Sequence, residues 1–284
     1  MKKYIQARPY GPDFSYLREM YNFPSGISGC YINRNGSYSI RFGTRADRQL
    51  RFPIINPEKN TIHIMDFSKH FTDVSDLKLL NDGYIVRGMA KEQNKQRKKY
   101  RFYITDHDGK ITKELHMSSI WSCAQIESGY ILLSYLIEDR IEDELLDNGL
   151  VCLDAEGNRI LSTKIPLIYE SDFVSSCGNT ILFGNGKGYA VMQNGDTIID
   201  SFRIAYAGHK QDCVAFSPKT METISFSQPH KENERFFFHI SSPTQVPDFF
   251  EFLFEDRSVF ALHGDAAGDK VLIADKSRCY IYNI

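Results

Sequence analysis

Short runs of alternating apolar and polar residues, rich in Ile, Val, Phe and Tyr, recur along the chain between tight turns. The segment YRFYITDHDGKITKEL shows the pattern: an alternating run, an Asp-Gly turn, and a second alternating run. Alternation with a period of two indicates a strand with one buried face, and Asp-Gly or Asn-Gly turns join such strands into β-hairpins. The pattern therefore predicts an all-β protein built from hairpins.

Hairpins of one type return at intervals of 43 to 49 residues, each with a turn followed by a run such as GYIVRG or GYILLS. The turns of this first type lie at Gly36, Gly83, Gly129, Gly178, Met221 and Gly268. The turns of a second type lie between them, near Asn60, Gly109, Gly157, Gly195 and Thr244. Two hairpins per interval give four strands, which is typical of a β-propeller blade.

Six such units account for nearly all of the 284 residues. We therefore expect a single domain over residues 1–284, a six-bladed β-propeller with four-stranded antiparallel blades. The sixth unit has only three strands before Ile284, and the segment KKYIQARPY near the N-terminus has the pattern of a strand. We expect this segment to close the last blade, because pairing removes an open sheet edge.

The GYIV, GYIL and D-x-x-G hairpins resemble the broad class of bacterial six-bladed β-propellers of the TolB-like kind. The resemblance covers the whole chain, but these motifs are structural, so it implies a fold and not an activity. The chain shows neither the Trp-Asp and Gly-His motifs of WD40 repeats nor the double glycine of kelch repeats.

The six cysteines are dispersed and form no C-x-x-C pair, so we expect free thiols that pack as small apolar side chains, without a metal or cofactor. Dispersed thiols and the lack of an export signal favour a reduced, cytoplasmic protein. The cysteines fall at repeated places of the units. Four precede a first-type hairpin, on the innermost strand, and two lie on the third strand: Cys30, Cys123, Cys177 and Cys213, then Cys152 and Cys279.

The charge balance argues against a nucleic-acid or membrane partner. The net charge is −2, so no global field attracts the protein to nucleic acid or to an anionic membrane. The most apolar run, GYILLSYLI, is far shorter than a bilayer span. A binding role would therefore involve another protein.

The loops between second and third strands are expected on one face, together with the links between blades, and they are unequal. A basic loop, MAKEQNKQRKKYRF, is followed one blade later by an acidic loop, LIEDRIEDELLDNGL. The two loops could pair with each other, form a dipolar patch that selects a partner by charge, or be solvated tips. The candidate partner-binding residues are Arg45, Arg48, Lys95, Arg97, Lys98, Lys99, Glu142, Asp143, Glu144, Lys231 and Glu232.

A second candidate site is the mouth of the central channel, where five residues precede the innermost strands: Asp76, Trp121, Asp172, Asp212 and Arg257. Metal-dependent hydrolases need converging carboxylates to activate water, and the three aspartates could supply them. Aspartate is also common in turns before strands. Binding of a sugar or another small ligand in the channel is a third hypothesis.

The segment PYGPDFSYLREMYNFPSG has too many aromatic residues for a plain linker. We expect a short helix with Tyr16, Leu17 and Met20 on one side, packed over the edge of blade 1, with capping of the channel or docking of a partner as alternatives.

These patterns together predict a cytoplasmic, non-catalytic protein-binding module. One example, by analogy of fold alone, is an immunity or defence-associated protein that masks a partner. The competing hypothesis is a metal-dependent hydrolase or lactonase-like enzyme that uses Asp76, Asp172 and Asp212.

Overall fold

The structure is a computed structural model. It describes residues 3–44, 47–92, 99–117, 120, 122–134, 150–154, 156–162, 171–185, 188–194, 197–203, 213–227, 236–240, 248–259 and 263–284.

The chain begins with β1 (Lys3–Gln6), β2 (Arg8–Pro9) and α1 (Phe14–Tyr21). Sheet 1 consists of β3 (Ile27–Ile32), β4 (Tyr38–Phe42), β5 (Arg51–Asn56) and β6 (Thr61–Asp66). A 3-10 helix (Phe67–Lys69) links it to sheet 2, which consists of β7 (Phe71–Leu79), β8 (Gly83–Ala90), β9 (Arg101–Asp106) and β10 (Ile111–Leu115). Sheet 3 consists of β11 (Ser122–Gln125), β12 (Ile131–Ser134), β13 (Leu150–Leu153) and β14 (Arg159–Ser162).

Sheet 4 consists of β15 (Phe173–Cys177), β16 (Thr180–Asn185), β17 (Gly188–Gln193) and β18 (Thr197–Arg203). Sheet 5 consists of β19 (Cys213–Phe216), β20 (Thr223–Ser227), β21 (Phe236–Ile240) and β22 (Asp248–Phe254), with the short β23 (Arg257–Ser258) paired to β22. Sheet 6 consists of β24 (His263–Ala267), β25 (Lys270–Ala274) and β26 (Cys279–Asn283), with β2 on the far side of β26. The described strands thus form an all-β structure of six sheets.

The turns at the six repeat positions all join a first strand to a second strand, as the spacing predicts. A left-handed conformation is needed in such tight turns, and glycine adopts it without steric cost. Gly36 and Gly268 have φ angles of 78° and 62°. Met221, at the one repeat position without glycine, takes a φ of 58° in the same kind of turn. Met221 therefore adopts the same left-handed backbone conformation as Gly36 and Gly268.

The N-terminal segment pairs with two sheets and not with one. β1 runs parallel to β22 of sheet 5, whereas β2 runs antiparallel to β26 of sheet 6. Ala7, between the two strands, is buried among side chains of both sheets, and its amide donates to Leu253 O at 2.6 Å. Beyond Pro9, which has no N–H group, the Tyr10 amide still donates to Cys279 O of sheet 6 at 2.9 Å. Arg8 and Pro9 thus pair with sheet 6, whereas Lys3–Gln6 pairs with sheet 5, and closure of the last blade by the N-terminal segment stays a prediction.

Five pairs of first strands are in contact, and four of these pairs are neighbours in chain order. β3 contacts β7, β11 contacts β15, β15 contacts β19, β19 contacts β24, and β24 returns to contact β3. A carboxylate oxygen of Asp265, on β24, accepts a hydrogen bond from the amide of Ile32, on β3, at 2.9 Å. The space that these strands surround is called the channel below.

The two ends of the sheets are different. The turns between first and second strands meet at one end, where Asn33 Nδ2 donates to Leu80 O and the Asn81 amide donates to Gln125 Oε1. In an antiparallel sheet the turns between third and fourth strands lie at this same end, which we call the hairpin face. The connections between second and third strands, and the links between sheets, lie at the opposite end, the loop face.

Helix α1 packs over sheet 1, as expected, although a different side of the helix is buried. Asp13 caps its N-terminus by accepting from the Ser15 amide at 2.8 Å. Phe14 and Leu17 are fully buried and Phe14 contacts the edge of the Phe42 ring, whereas Tyr16 and Met20 are exposed. The predicted apolar side is therefore wrong for two of its three residues. Across the described residues, the helices are too short or too polar to cross a membrane.

Candidate binding face and central channel

The centre of the channel contains one ammonium group and two carboxylates. Lys78 extends from β7 with its Nζ 5.6 Å from the centre of the Tyr31 ring. Burial lowers the pKa of Lys78, but the charges of Asp76 and Asp265 outweigh this effect and the pKa is raised. A lysine with a raised pKa stays protonated and is a poor nucleophile or base. Lys78 is therefore a fixed cation and not a reactive amine.

The two carboxylates share one cation, and this imbalance affects Asp265. Burial raises the pKa of Asp265, while Lys78 and the backbone amides of Ile32 and Ala266 lower it only in part. Asp76 also acts on Asp265 with the same sign of charge. The channel thus contains a carboxyl group that binds a proton more readily than in water.

Burial makes the thiols near the channel less reactive than exposed thiols. All six cysteines are free, and those on first strands are Cys30, Cys123, Cys177 and Cys213, as the repeat predicts. Burial raises the pKa of Cys123 to about 12. A thiol that stays protonated neither attacks an electrophile nor binds a metal readily. Among the residues that the structure describes, no group of three His, Cys, Asp or Glu side chains is placed to hold a metal ion.

The channel narrows at the hairpin face to a cavity of about 20 Å³. Ser175 and Asn81 line it, and so does Arg34, which forms an ion pair with Glu127 at 3.1 Å. The Ser175 side-chain oxygen is buried and has no hydrogen-bond partner among the described protein atoms. A volume of this size admits water but is far below the few hundred Å³ that ligand sites need. This end of the channel is therefore too narrow for a substrate.

The loop face carries a compact polar cluster at the end of sheet 2, next to the loop after β4. Asp73, on β7, is 7% exposed and accepts a hydrogen bond from the hydroxyl of Tyr100, which is 41% exposed. This hydrogen bond, followed by burial and the charge of Asp73, raises the pKa of Tyr100, whereas Arg48 and Arg41 act in the opposite direction. The guanidinium carbon of Arg87 lies 5.8 Å from the centre of the Tyr100 ring.

The side chain of Arg41 fixes the loop beside this cluster. It is only 4% exposed, and its guanidinium donates to Ser75 O at 2.8 Å and to Asp47 O at 3.3 Å. These bonds connect the loop after β4 to β7 of the next sheet. An isolated pairing between Gln49 and Val74 joins the same two segments. The loop that carries Arg48 is therefore held against sheet 2.

Two of the predicted partner-binding residues, Arg48 and Lys99, are described, and both are exposed at the loop face beside this cluster. The others lie outside the described residues: Arg45, Lys95, Arg97, Lys98, Glu142, Asp143, Glu144, Lys231 and Glu232. The prediction of a partner-binding face stays a prediction.

The predicted channel-mouth residues lie at different places in the sheets. Asp76 lies within β7, and its carboxylate accepts from the Leu77 amide at 2.9 Å. Asp172 directly precedes β15, and its amide donates to Gly184 O at 2.8 Å. Arg257 is exposed on β23, paired with the end of the fourth strand of sheet 5, and is not on a first strand. Trp121 and Asp212 lie outside the described residues. A converging carboxylate trio therefore stays a prediction.

A groove of about 690 Å³ lies between α1 and the outer hairpin of sheet 1. Tyr16 and Tyr21 line one wall, and Pro57 and Asn60 line the other. Among the described residues no charged side chain lines this groove, and its walls carry aromatic, aliphatic and uncharged polar side chains.

The sequence reasoning missed Lys78, Asp265, Arg87 and Tyr100. A signal for the first was present, because a lysine in VSDLKLL interrupts the apolar run of an innermost strand. The contacts of Asp265 and Tyr100 had no local signal, since their partners are far away in the chain.

Solved structures of β-propellers are similar to this chain in fold. Virginiamycin B lyase from Staphylococcus aureus is 11% identical with a TM-score of 0.51, covering 91% of this chain and 80% of that one. The WD40 domain of Neurospora crassa Pan2 is 11% identical with a TM-score of 0.52, covering 98% and 95%. A chain of the mitotic checkpoint complex is 15% identical with a TM-score of 0.50, covering 91% and 76%.

No protein-family model matches the chain, and no curated protein matches it in sequence. At these identities the similarity concerns the fold alone. The predicted resemblance to β-propellers is confirmed at that level, and the chain has a β-propeller type of fold.

Proposed function

We propose that the six sheets are the blades of one closed ring, a six-bladed β-propeller that forms a single domain over residues 1–284. The contact between β24 and β3, and the Asp265–Ile32 hydrogen bond between them, support closure on the channel side. The pairing of β2 with β26 supports closure on the outer side, where the N-terminal strand completes the last blade.

We infer that this ring is a non-catalytic protein-binding module that acts through its loop face. The observation that carries this inference is the exposed cluster around Tyr100, where Arg48 and Arg87 lie beside a loop rich in basic residues. Tyrosine and arginine are enriched at protein interfaces, since both offer a large contact area together with hydrogen bonds. The narrow channel and its protonated lysine favour binding over chemistry.

The similar structures fit this role. They include a WD40 domain and a chain of a multiprotein complex, so folds of this kind occur within protein assemblies. Localisation in the cytoplasm, and membership of a bacterial immunity or defence system, stay predictions for this chain.

The function is tested by affinity capture from the native host with charge-reversed baits. The loop-face bait carries Arg48→Glu and Lys99→Glu. The control bait carries Lys59→Glu and Lys110→Glu, at turns of the hairpin face. We expect a specific partner to be captured by the wild type and by the control, and at least about tenfold less by the loop-face bait. Equal capture by all three baits would show that the loop face is not the interface.

A further inference from the structure

The part of the loop face formed by Arg48, Asp73, Arg87 and Tyr100, called the wedge below, presents two exposed guanidinium groups. Arg48 and Arg87 are both exposed, and no described carboxylate oxygen lies within 4.0 Å of either guanidinium group. Lys91 and Lys99 are exposed nearby, at the two ends of the connection between β8 and β9.

The acidic groups of the wedge already have partners. The Asp73 carboxylate accepts from the Tyr100 hydroxyl, and the Asp76 carboxylate accepts from the Leu77 amide. Glu114 forms an ion pair with Arg101. A hydrogen bond from a neutral hydroxyl or amide does not cancel the charge of Asp73 or Asp76, but neither carboxylate lies within 4.0 Å of the Arg48 or Arg87 guanidinium group, so both guanidinium groups remain accessible at the surface.

Tyr100 gives this positive patch a rigid aromatic surface. Its hydroxyl is fixed by the buried Asp73, and its ring lies beside the Arg87 guanidinium at 5.8 Å. A side chain that is already ordered loses little conformational entropy on binding, so more of its contact energy appears as affinity. The Arg87 guanidinium also lies 5.8 Å from the Phe102 ring, which restricts its position. The wedge is therefore preorganised.

We propose that this wedge binds an acidic segment of a protein partner. Carboxylates of the segment would accept hydrogen bonds from the guanidinium groups of Arg48 and Arg87, and an apolar side chain of the segment would pack on Tyr100. The argument for this occupant is charge complementarity: the exposed groups of the wedge are positive, planar guanidinium groups pair well with carboxylates, and the Tyr100 ring lies beside the Arg87 guanidinium group. The proposal rests on the loop face being the binding face.

The experiment uses a fluorescein-labelled peptide of about eight residues, alternating Glu and Asp around a central Leu, and a matched peptide with Gln and Asn in place of the acids. Binding to the full chain is measured by fluorescence anisotropy at about 50 mM and about 150 mM salt. We expect the acidic peptide to bind, with weaker affinity at higher salt, and the neutral peptide not to bind.

Three variants locate the site. Arg48→Glu together with Arg87→Glu should weaken binding of the acidic peptide at least about tenfold. Tyr100→Ala should weaken it several-fold, whereas Tyr100→Phe, which keeps the ring, should weaken it less. The control Lys59→Glu with Lys110→Glu makes the same charge change on the hairpin face and should have little effect. Circular dichroism and thermal melting establish that each variant is folded.

The possible outcomes separate the hypotheses. If the acidic peptide does not bind, or if the arginine variant binds it like the wild type, the acidic-segment proposal is wrong. If the loop-face bait nevertheless loses its partner, the loop face is still the binding face, and only the acidic-segment proposal is wrong. A further variant, Glu142→Gln with Asp143→Asn and Glu144→Gln, tests the chain's own acidic loop as occupant. Peptide binding that appears only in this variant would show that the wedge binds that loop, and would overturn the partner proposal.

Discussion

Replacement of Lys78 by methionine would leave Asp76 and Asp265 in the channel without the ammonium group that acts on both. Removal of one partner of a buried ion pair usually costs 3–5 kcal/mol, because the remaining charge is buried and uncompensated. Lys78, Asp76 and Asp265 are only partly buried, and no ion pair within 4.0 Å joins the ammonium group to either carboxylate, so we expect a smaller cost: Lys78→Met should lower the free energy of unfolding by about 1–2 kcal/mol near pH 7.

The loss of unfolding free energy caused by Lys78→Met should be smaller at low pH than at neutral pH. Burial already raises the pKa of Asp265 in the native protein, and loss of Lys78 removes the main charge that lowers it. The native state then binds a proton at Asp265 at pH values where the unfolded state does not. A raised native pKa gives stability that is present at low pH and lost as the pH rises through it. The deficit of Lys78→Met should therefore shrink between about pH 7 and about pH 5.

The assay is urea unfolding followed by far-UV circular dichroism at both pH values. Lys219→Met, at an exposed lysine in the β19–β20 turn, is the matched control and should change stability by less than about 0.5 kcal/mol. The double variant Lys78→Met with Asp265→Asn returns the net charge of these three positions to its native value and should be more stable than Lys78→Met alone, with a coupling of about 1 kcal/mol or more. A deficit that is below about 1 kcal/mol, or that is the same at both pH values, would refute the reasoning.

Two further predictions concern packing and thiol chemistry. Phe14→Ala, at a fully buried ring against Phe42, should lower the free energy of unfolding by about 3–5 kcal/mol, whereas Met20→Ala, at a side chain that is 59% exposed, should change it by less than about 0.5 kcal/mol; chemical denaturation measures both. A thiol reagent should modify the native protein first at Cys177, which is partly exposed. The buried Cys30 and Cys279, whose thiol pKa is raised by burial, should react only on unfolding. Mass spectrometry locates the modified residues, and early modification of Cys279 would contradict its placement.

The repeated hairpins were predictable because their signals are local. Five of the six first-type turns have glycine, and the turn at Met221 was located by spacing alone. The cysteines on first strands followed from the same register. The side of α1 that is buried was not predictable from the apolar residues of SYLREMY, because Phe14 and Leu17, one helical turn apart, form the stripe and Phe14 precedes that segment.

The charged groups of the candidate site depend on contacts between distant parts of the chain. Asp265 meets the amide of Ile32 only because sheet 6 lies beside sheet 1. Tyr100, directly before the third strand of sheet 2, meets Asp73 on the first strand, so the folded sheet and not the spacing in the sequence brings them together. Loop composition indicated a basic surface near residues 91–101, but the aromatic ring that organises it was counted among the strand residues.

The most direct test of the account is a disulfide across the point where the N-terminal strand joins the last sheet. Arg8 and Ile281 are opposite each other on β2 and β26, a spacing that suits a disulfide, whereas Arg8 and Asn283 are two residues out of register. The closed ring predicts that Arg8→Cys with Ile281→Cys oxidises readily and raises the denaturation midpoint, and that Arg8→Cys with Asn283→Cys does not. Failure of the first pair to form a disulfide, or equal oxidation of both pairs, would contradict a ring closed by its N-terminal strand.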